Sequence, residues 1–529
     1  MRNGARGAAA AEGLPAALVE KDATLWGEAA QPEASIRLGW LDLPESSREL
    51  LPRLRELREE VVAEGLDHVV LCGMGGSSLA PEVIARTAGV ELTVLDSTDP
   101  HQVRRALGDR LERTVVVVSS KSGGTVETES QSLAYLQAFR DAGMDDKAAA
   151  QRMIAVTDPG SSLEQRARDE GWRAVVLADP NVGGRYSALS AFGLVPTALA
   201  GIDVEELLDS ARTLLPALGS PKDNPGLDLG AALGAGASIG HDKVVLADAG
   251  SGIVGFGDWA EQLIAESTGK EGRGLLPVVV EGLDAPGFAT AGPDAHRFVL
   301  GQAPEQFEGT AVTGPLGAQF LLWEYATAVA GRILSINPFD QPNVQEAKEL
   351  AKRVLAEGGG TDGPTPEDPA AFVDGAVAVH AHAGTLGGAT DLAGVLDALC
   401  RAVPDRGYLA IMAYLDREGD ADAFALRRSL AERLAPRQVT FGWGPRFLHS
   451  TGQYHKGGPQ NGAYLQITGD PGEDLPVPGK PYTFGRLQLA QALGDLGALT
   501  SRGRPAVRLH LTDRADGVRQ LLEAAGGSR

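Results

Sequence analysis

Between His68 and Ala178, five short unbroken apolar runs, HVVLCG, ELTVLD, TVVVVSS, RMIAVT and AVVLA, are separated by stretches with helical spacing. A strand with one face in water alternates polar and apolar residues. These runs do not alternate, so they must be covered on both faces, and their alternation with helices predicts a parallel sheet packed between helical layers. Leucines and valines from Ser47 to Glu64 predict a helix just before the first strand. The same organisation resumes at KVVLAD (243–248), with the helical DWAEQLIAEST, the strand-like LLPVVVEG and the helical QFLLWEYATAVAGRIL. A glycine-, proline- and acid-rich stretch, GGGTDGPTPEDP, reads as a linker. Beyond it VAVHAHA, GYLAIMAYLD, QVTFGWG, GAYLQITG and AVRLHLT predict a third α/β module. The expected division is a leader and helical segment at 1–46, domains at 47–201 and 202–357, a linker at 358–369 and a module at 370–529.

Composition narrows the function classes. A formal charge of −22 and a pI near 4.9 argue against nucleic acid or an anionic membrane as partners. An anionic substrate would need a local basic pocket. Cys72 and Cys400 are too few for a disulfide framework and lack metal-ligand spacing, which suits a reducing cytoplasm. The first residues, MRNGARGAAAAEG, hold no apolar core segment, and no later run approaches membrane-spanning length, so a frayed leader on a cytosolic protein is expected.

Two strand ends carry chemistry. After Val115 to Val118 the chain opens into hydroxyls, a lysine and two glycines, SSKSGGTVET, before a helix near Val126. Gly123 and Gly124 permit a tight turn, Thr125 is placed to cap the helix, and helix amides with the hydroxyls of Ser120, Ser122 and Thr125 would face an anion, with phosphate the natural guest. Its lysine precedes the glycines, so this is not a nucleotide-binding P-loop. The first strand runs into a similar turn, GMGGSSLAP (73–81), and ligands of parallel sheets sit at the carboxyl ends of strands. Further along, Gln262 and Glu266 share one face of a predicted helix, with Lys270 just beyond its end. Pro342 suits a helix first turn, and the two turns from Gln341 to Lys348 would put both residues near one face.

These residues together resemble the glucose-6-phosphate isomerase family. GMGGSSLAP is similar to its GIGGSxLGP turn, SKSGGTVET to SKTxxTxET, VGGRYSALSAFGL to GGRxSxxSxxGL, QLIAESTGK to QxxxESxGK, and NPFDQPNVQEAK to NPFDQxGVExxK, from which it departs at Asn343 and Gln345. The motifs come in the family's order and cover about Leu66 to Lys352. RFLHSTGQYHKGGPQNGAYLQIT and PVPGKPYTFG resemble the isomerase part of bifunctional transaldolase/glucose-6-phosphate isomerases.

The resemblance implies two sugar-isomerase (SIS-type) parallel-sheet domains plus the C-terminal α/β module, and reversible isomerisation of glucose 6-phosphate and fructose 6-phosphate through an enediol. It implies Glu266 as the base, with Arg185 stabilising the enediolate and Lys348 assisting ring opening. Gly76, Ser77, Ser120, Lys121, Ser122, Thr125 and Glu127 would bind the substrate, while Gln262 and Gln341 orient the sugar. It implies no cofactor or metal, and a homodimer in which each site is completed by a histidine reaching in from the second subunit. His296, in DAHRFVL, is the first candidate for that histidine, and His449, in FLHSTGQYHKGG, is its rival. A non-catalytic sugar-phosphate sensor would use the same domains but lack the base, and a dual glucose/mannose phosphate isomerase is the nearest alternative within the enzyme class.

Overall fold

The unbroken apolar runs become the parallel strands they predict, buried except at the edge strand from AVVLA, where Leu177 is exposed. In the computed structural model, which describes residues 5–6, 9, 12–357, 369–381 and 384–526, the first sheet comprises β1 (His68–Gly73), β2 (Thr93–Leu95), β3 (Thr114–Ser119), β4 (Met153–Thr157) and β5 (Ala174–Leu177) in the order β2-β1-β3-β4-β5. Every pairing is parallel. Val69, Leu71, Val115 and Val117 face one core while Val70, Cys72, Val116 and Val118 face another, which is why neither strand could alternate with polar residues. Helix α1 (Leu79–Ala88) follows β1 and α2 (Val126–Asp141) follows β3.

The second sheet, in the order β7-β6-β8-β9, is also parallel: β6 (Lys243–Ala249), β7 (Leu276–Val279), β8 (Ala295–Gly301) and β9 (Thr310–Val312). Its helices include α3 (Phe256–Thr268), α4 (Leu316–Leu334) and α5 (Val344–Glu357). Helix α5 starts later than Pro342 suggests. Gln341 precedes it in a turn fastened to the C-terminal module, where Gln453 accepts from the Asn343 amide at 2.9 Å and donates to the Asn343 side chain at 2.8 Å. Asn343 thus has a partner beyond the two isomerase-like domains, at a position where the chain departs from the family pattern.

The third sheet runs β10-β11-β15-β14-β12-β13. Strands β12 (Tyr408–Tyr414), β13 (Gln438–Trp443), β14 (Gly462–Gly469) and β15 (Ala506–Leu511) are parallel, and the hairpin of β10 (Phe372–Asp374) and β11 (Val377–Ala381) joins β15 antiparallel. Leu409, Ile411 and Ala413 face the module's own core, whereas Tyr408, Ala410, Met412 and Tyr464 share a core with Val245, Val278 and Val299 of the second sheet. Burying large apolar side chains is worth about 1.5–3 kcal/mol each, so this shared core anchors the module. Its helices α6 (Gly452–Gly457) and α7 (Phe484–Thr500) therefore approach the first two domains, with α7 packed along α5.

Most of the expected leader, like the expected linker up to residue 368, lies outside the described residues. Of the leader's described residues, Arg6 pairs with Asp228 and Ala9 is buried, and Leu14, Leu18, Trp26 and Trp40 then join the first core. Among the described residues no helix is long and apolar enough to cross a membrane.

Candidate active site

A cavity of about 460 Å³ opens where the carboxyl ends of β1 and β3 meet α3, the turn before α5 and the C-terminal module. Its hydroxyl-rich end is built from one contiguous stretch. Ser120 Oγ lies 3.0 Å from Thr125 Oγ1 and accepts from the Gly123 amide at 3.2 Å, and Ser122 Oγ accepts from Gly124 at 3.3 Å. Gly123 has φ +73°, and a Cβ there would stand 2.5 Å from the Leu163 amide nitrogen, so glycine is required by both conformation and space. Thr125 occupies the cap position of α2, but its side chain makes no cap hydrogen bond and turns to Ser120 instead, contrary to the capping role its position suggests. No threonine hydroxyl therefore takes up the first-turn amides, and apart from that of Glu127, which faces its own carboxylate, they keep their donors for a guest. Lys121 lines the cavity while paired with Asp158, and the 158–161 loop, which the sequence did not mark, closes this wall.

The glycines after β1 set the opposite wall. A Cβ on Gly76 would lie 2.0 Å from the Gly184 carbonyl oxygen, so the turn carrying Ser77 presses directly on the loop carrying Arg185. Arg185, 5 % exposed, donates to the carbonyls of Pro338 and Asp340 at 2.8 Å each, to Ser267 Oγ at 2.9 Å and to Gln341 Oε1 at 3.0 Å. Its Nη1 stands 3.2 Å from Glu266 Oε1. Gln262, one helical turn before Glu266, donates to Glu266 Oε2 at 3.1 Å, the pairing their spacing predicts. Lys270 donates to the Asn337 and Asp340 carbonyls at 2.7 and 2.6 Å, fixing the turn that holds Gln341. Burial and the neighbouring Arg185 bring its ammonium down to about 8. Lys348, from α5, completes this end.

The two candidate histidines part company. His296 lies within β8, hydrogen-bonded to Thr310 at 3.0 Å and stacked on Phe298 at 4.4 Å, and it does not line the cavity. Held in the sheet, it is not a residue of its own chain's cavity and would meet a site only as the histidine the resemblance brings from a second subunit. His449 does line the cavity. It sits in the turn Arg446–His449 of the C-terminal module, where its carbonyl accepts from Gln262 at 2.7 Å and its Nε2 lies 3.0 Å from Glu127 Oε1.

Glu127, expected to touch substrate, is 4 % exposed and turned to His449; it lines an adjoining cavity of about 250 Å³ with Lys348 and Gln491. Burial pushes its carboxyl up, but the His449 charge and hydrogen bond, its own backbone amide and Lys348 outweigh that and hold it below the usual carboxylate range. Gln491, which the sequence reading missed, donates to the same Glu127 oxygen at 2.7 Å. It stands within the helical LQLAQAL, where nothing local distinguishes it.

One cavity thus gathers an anion-friendly turn, a carboxylate beside a buried guanidinium, a lysine and a carboxylate-held histidine. The phosphoglucose isomerase family model matches residues 46–216. The glucose-6-phosphate isomerase of Synechococcus sp. (strain JA-3-3Ab) is 34% identical over 422 residues, 64% of this chain and 79% of that protein. That of Cyanothece sp. (strain PCC 7425 / ATCC 29141) is 33% identical over 413 residues, 62% of this chain and 77% of the relative. Among solved structures, a hypothetical protein from Thermus thermophilus is 26% identical with a TM-score of 0.53, covering 65% of this chain and 98% of its own. The fold also matches a glucose-6-phosphate isomerase from Chlamydia trachomatis, at 21% identity and a TM-score of 0.51 over 62% of this chain and 74% of that one. With the ordered motifs meeting in one cavity and relatives matched over more than three quarters of their length, the chain belongs to the glucose-6-phosphate isomerase family.

Proposed function

We propose that the chain interconverts glucose 6-phosphate and fructose 6-phosphate, with Glu266 moving a proton between C2 and C1. The observation that carries this reading is the Glu266 carboxylate, 3.2 Å from Arg185, in the same cavity as the Ser120–Thr125 turn. The phosphate rests on that turn, where α2 amides and the hydroxyls of Ser77, Ser120, Ser122 and Thr125 meet its charge. His449 and Lys348 share the acid–base work that opens the ring.

Glu266 then takes the proton from C2 while the C1 oxygen gains one, giving an enediol. The same carboxylic acid returns its proton to C1, and the C2 hydroxyl gives up its own to become the ketone. Arg185 stabilises the negative oxygen between these steps, and because its other donors are already fixed it need not reorganise to do so. Gln262 and Gln341 orient the hydroxyls. The homodimer implied by the resemblance stays with this reading as its assembly, and light scattering of the purified chain tests it.

The direct test is a coupled assay with fructose 6-phosphate. Glu266→Gln keeps volume and hydrogen bonding but accepts no proton, so kcat should fall about 10²–10⁴-fold with the fold intact. Near-normal turnover in that variant would remove Glu266 from the mechanism.

A further inference from the structure

A buried hydrogen-bonded chain leads from the first domain through the C-terminal module to the histidine of the cavity. The Thr98 hydroxyl donates to Gln491 Oε1 at 2.9 Å, Gln491 Nε2 donates to Glu127 Oε1 at 2.7 Å, and that oxygen stands 3.0 Å from His449 Nε2. Thr98 is fully buried and Gln491 is 5 % exposed. The chain has a direction. A flipped amide would set two acceptor oxygens 2.7 Å apart at Glu127, so the carboxylate allows one orientation, in which the Thr98 hydroxyl donates to the amide oxygen.

We propose that Gln491 is a positioning residue of the reaction: it holds the Glu127 carboxylate in place as the acceptor that orients His449 for ring opening. The proposal rests on the reading that His449 acts in ring opening, and it makes α7 of the C-terminal module part of the catalytic apparatus. His449 and its own amide leave the Glu127 carboxylate free to pivot; a further donor on the oxygen that meets the imidazole fixes its lone pairs and the imidazole facing them. The amide is neutral, so it favours the ionised carboxylate without adding a competing charge. Apart from His449 and Lys348, two further lysines and two tyrosines around Glu127 have partners or stay neutral. Lys456 of α6 is paired with Asp495 of α7, and Lys480 with Glu129 of α2. Burial pushes the phenols of Tyr414 and Tyr482 up, away from neutrality. Lys348 of α5 contributes positive charge from the cavity side. Among these groups, Glu127 is the one whose protonation the amide governs.

The test compares Gln491→Leu, Gln491→Glu and Thr98→Val in the full chain, on cyclic fructose 6-phosphate and on an open-chain aldose phosphate too short to close a ring. Gln491→Leu should lower kcat/KM for the cyclic sugar about tenfold and leave the open-chain reaction within about twofold. Losing the donor raises the Glu127 pKa, so the acid limb of the cyclic-sugar pH profile should move to higher pH. Gln491→Glu sets a second carboxylate against the first, and the pair must share a proton, so its acid limb should move up by about one pH unit or more. Thr98→Val, which keeps shape and loses only the hydroxyl, should move the limb in the same direction by less, and it carries the test should Gln491→Leu fold poorly. In a Glu127→Gln background, Gln491→Leu should cost no further activity.

An unmoved acid limb in the Gln491 and Thr98 variants, or full additivity of Gln491→Leu with Glu127→Gln, would reduce Gln491 to packing and overturn the proposal. If instead Glu127→Gln and His449→Ala themselves kept full turnover on the cyclic sugar, the ring-opening reading would fall first.

Discussion

The two ends of the cavity are built in opposite ways. The hydroxyl-rich end comes chiefly from one strand, turn and helix, with Ser120 bonded to Gly123 and Thr125 and Ser122 to Gly124, and with Ser77 and the 158–161 loop beside it. The other end is drawn from four distant segments that carry Arg185, Glu266, Gln341 with Lys348, and His449. A phosphate needs only converging donors, which a glycine turn before a helix supplies locally. Proton transfer needs an acid, a base and an oxyanion partner at fixed separations, and no short stretch of chain can present all three. The difference is therefore chemical before it is architectural, and it predicts that damage at the two ends will show in different kinetic constants.

After loss of the base itself, the largest effect should come from the guanidinium that ties the distant segments together. Arg185→Lys keeps the charge but loses the fork that reaches Ser267, Pro338, Asp340 and Gln341 at once. Turnover should fall about 10²–10³-fold, with a melting curve confirming that the chain still folds. Turnover near that of the unmodified chain would mean that charge alone, without geometry, serves the oxyanion.

At the contiguous end the loss should be smaller and of another kind. Replacing Ser120 and Thr125 together by alanine removes about 2 kcal/mol of hydrogen bonding to a part of the substrate that does not react, so KM should rise about thirtyfold while kcat changes little. Calorimetry with fructose 6-phosphate reads the binding directly. An equal fall in kcat would show that the two ends are not separable and that the phosphate contacts also act on the reacting carbons.

The same contrast explains what the sequence could and could not tell. Strand composition announced all three sheets because residues buried on both faces must be apolar, although three-residue strands such as β9 and β10 are too short to leave a pattern. The phosphate turn was legible because its hydroxyls and glycines are neighbours in the chain. Arg185, Glu266 and Lys348 were legible only through the ordered resemblance, since an isolated buried arginine or helical glutamate has no local mark. Gln341 was placed on a helix because Pro342 suits a first turn, yet the bonds between Asn343 and Gln453 hold the turn open and α5 begins at Val344. Gln491 left no signal: its importance lies in what α7 packs against. His296 was favoured by its distance along the chain from Glu266, but β8 carries it into the sheet beside Thr310.

The third step down in magnitude sharpens the part that the C-terminal module plays. His449→Ala should lower turnover of cyclic fructose 6-phosphate about tenfold and affect an open-chain aldose phosphate within about twofold, because it removes ring opening and leaves Glu266 and Arg185 in place. Equal losses on both substrates would assign His449 to proton transfer at carbon instead.

The smallest catalytic effect is expected at His296, and it separates a histidine that chemistry uses from one that packing uses. His296→Ala removes a hydrogen bond to Thr310 Oγ1 at 3.0 Å and a stacked contact with Phe298 at 4.4 Å, both inside the second sheet. A buried hydrogen bond and an aromatic contact of this kind contribute about 1 kcal/mol each, so the variant should lose about 2 kcal/mol of stability, read as a lower denaturant midpoint. Since β8 packs in the core that the second sheet shares through Phe298, the damage should spread through that sheet and leave the cavity walls from β1, β3 and the C-terminal module intact. Turnover on cyclic and open-chain substrates should match the unmodified chain at temperatures where both are folded. A selective loss on the cyclic sugar in His296→Ala, with none in His449→Ala, would reverse the assignment and require a second chain to bring His296 to the cavity.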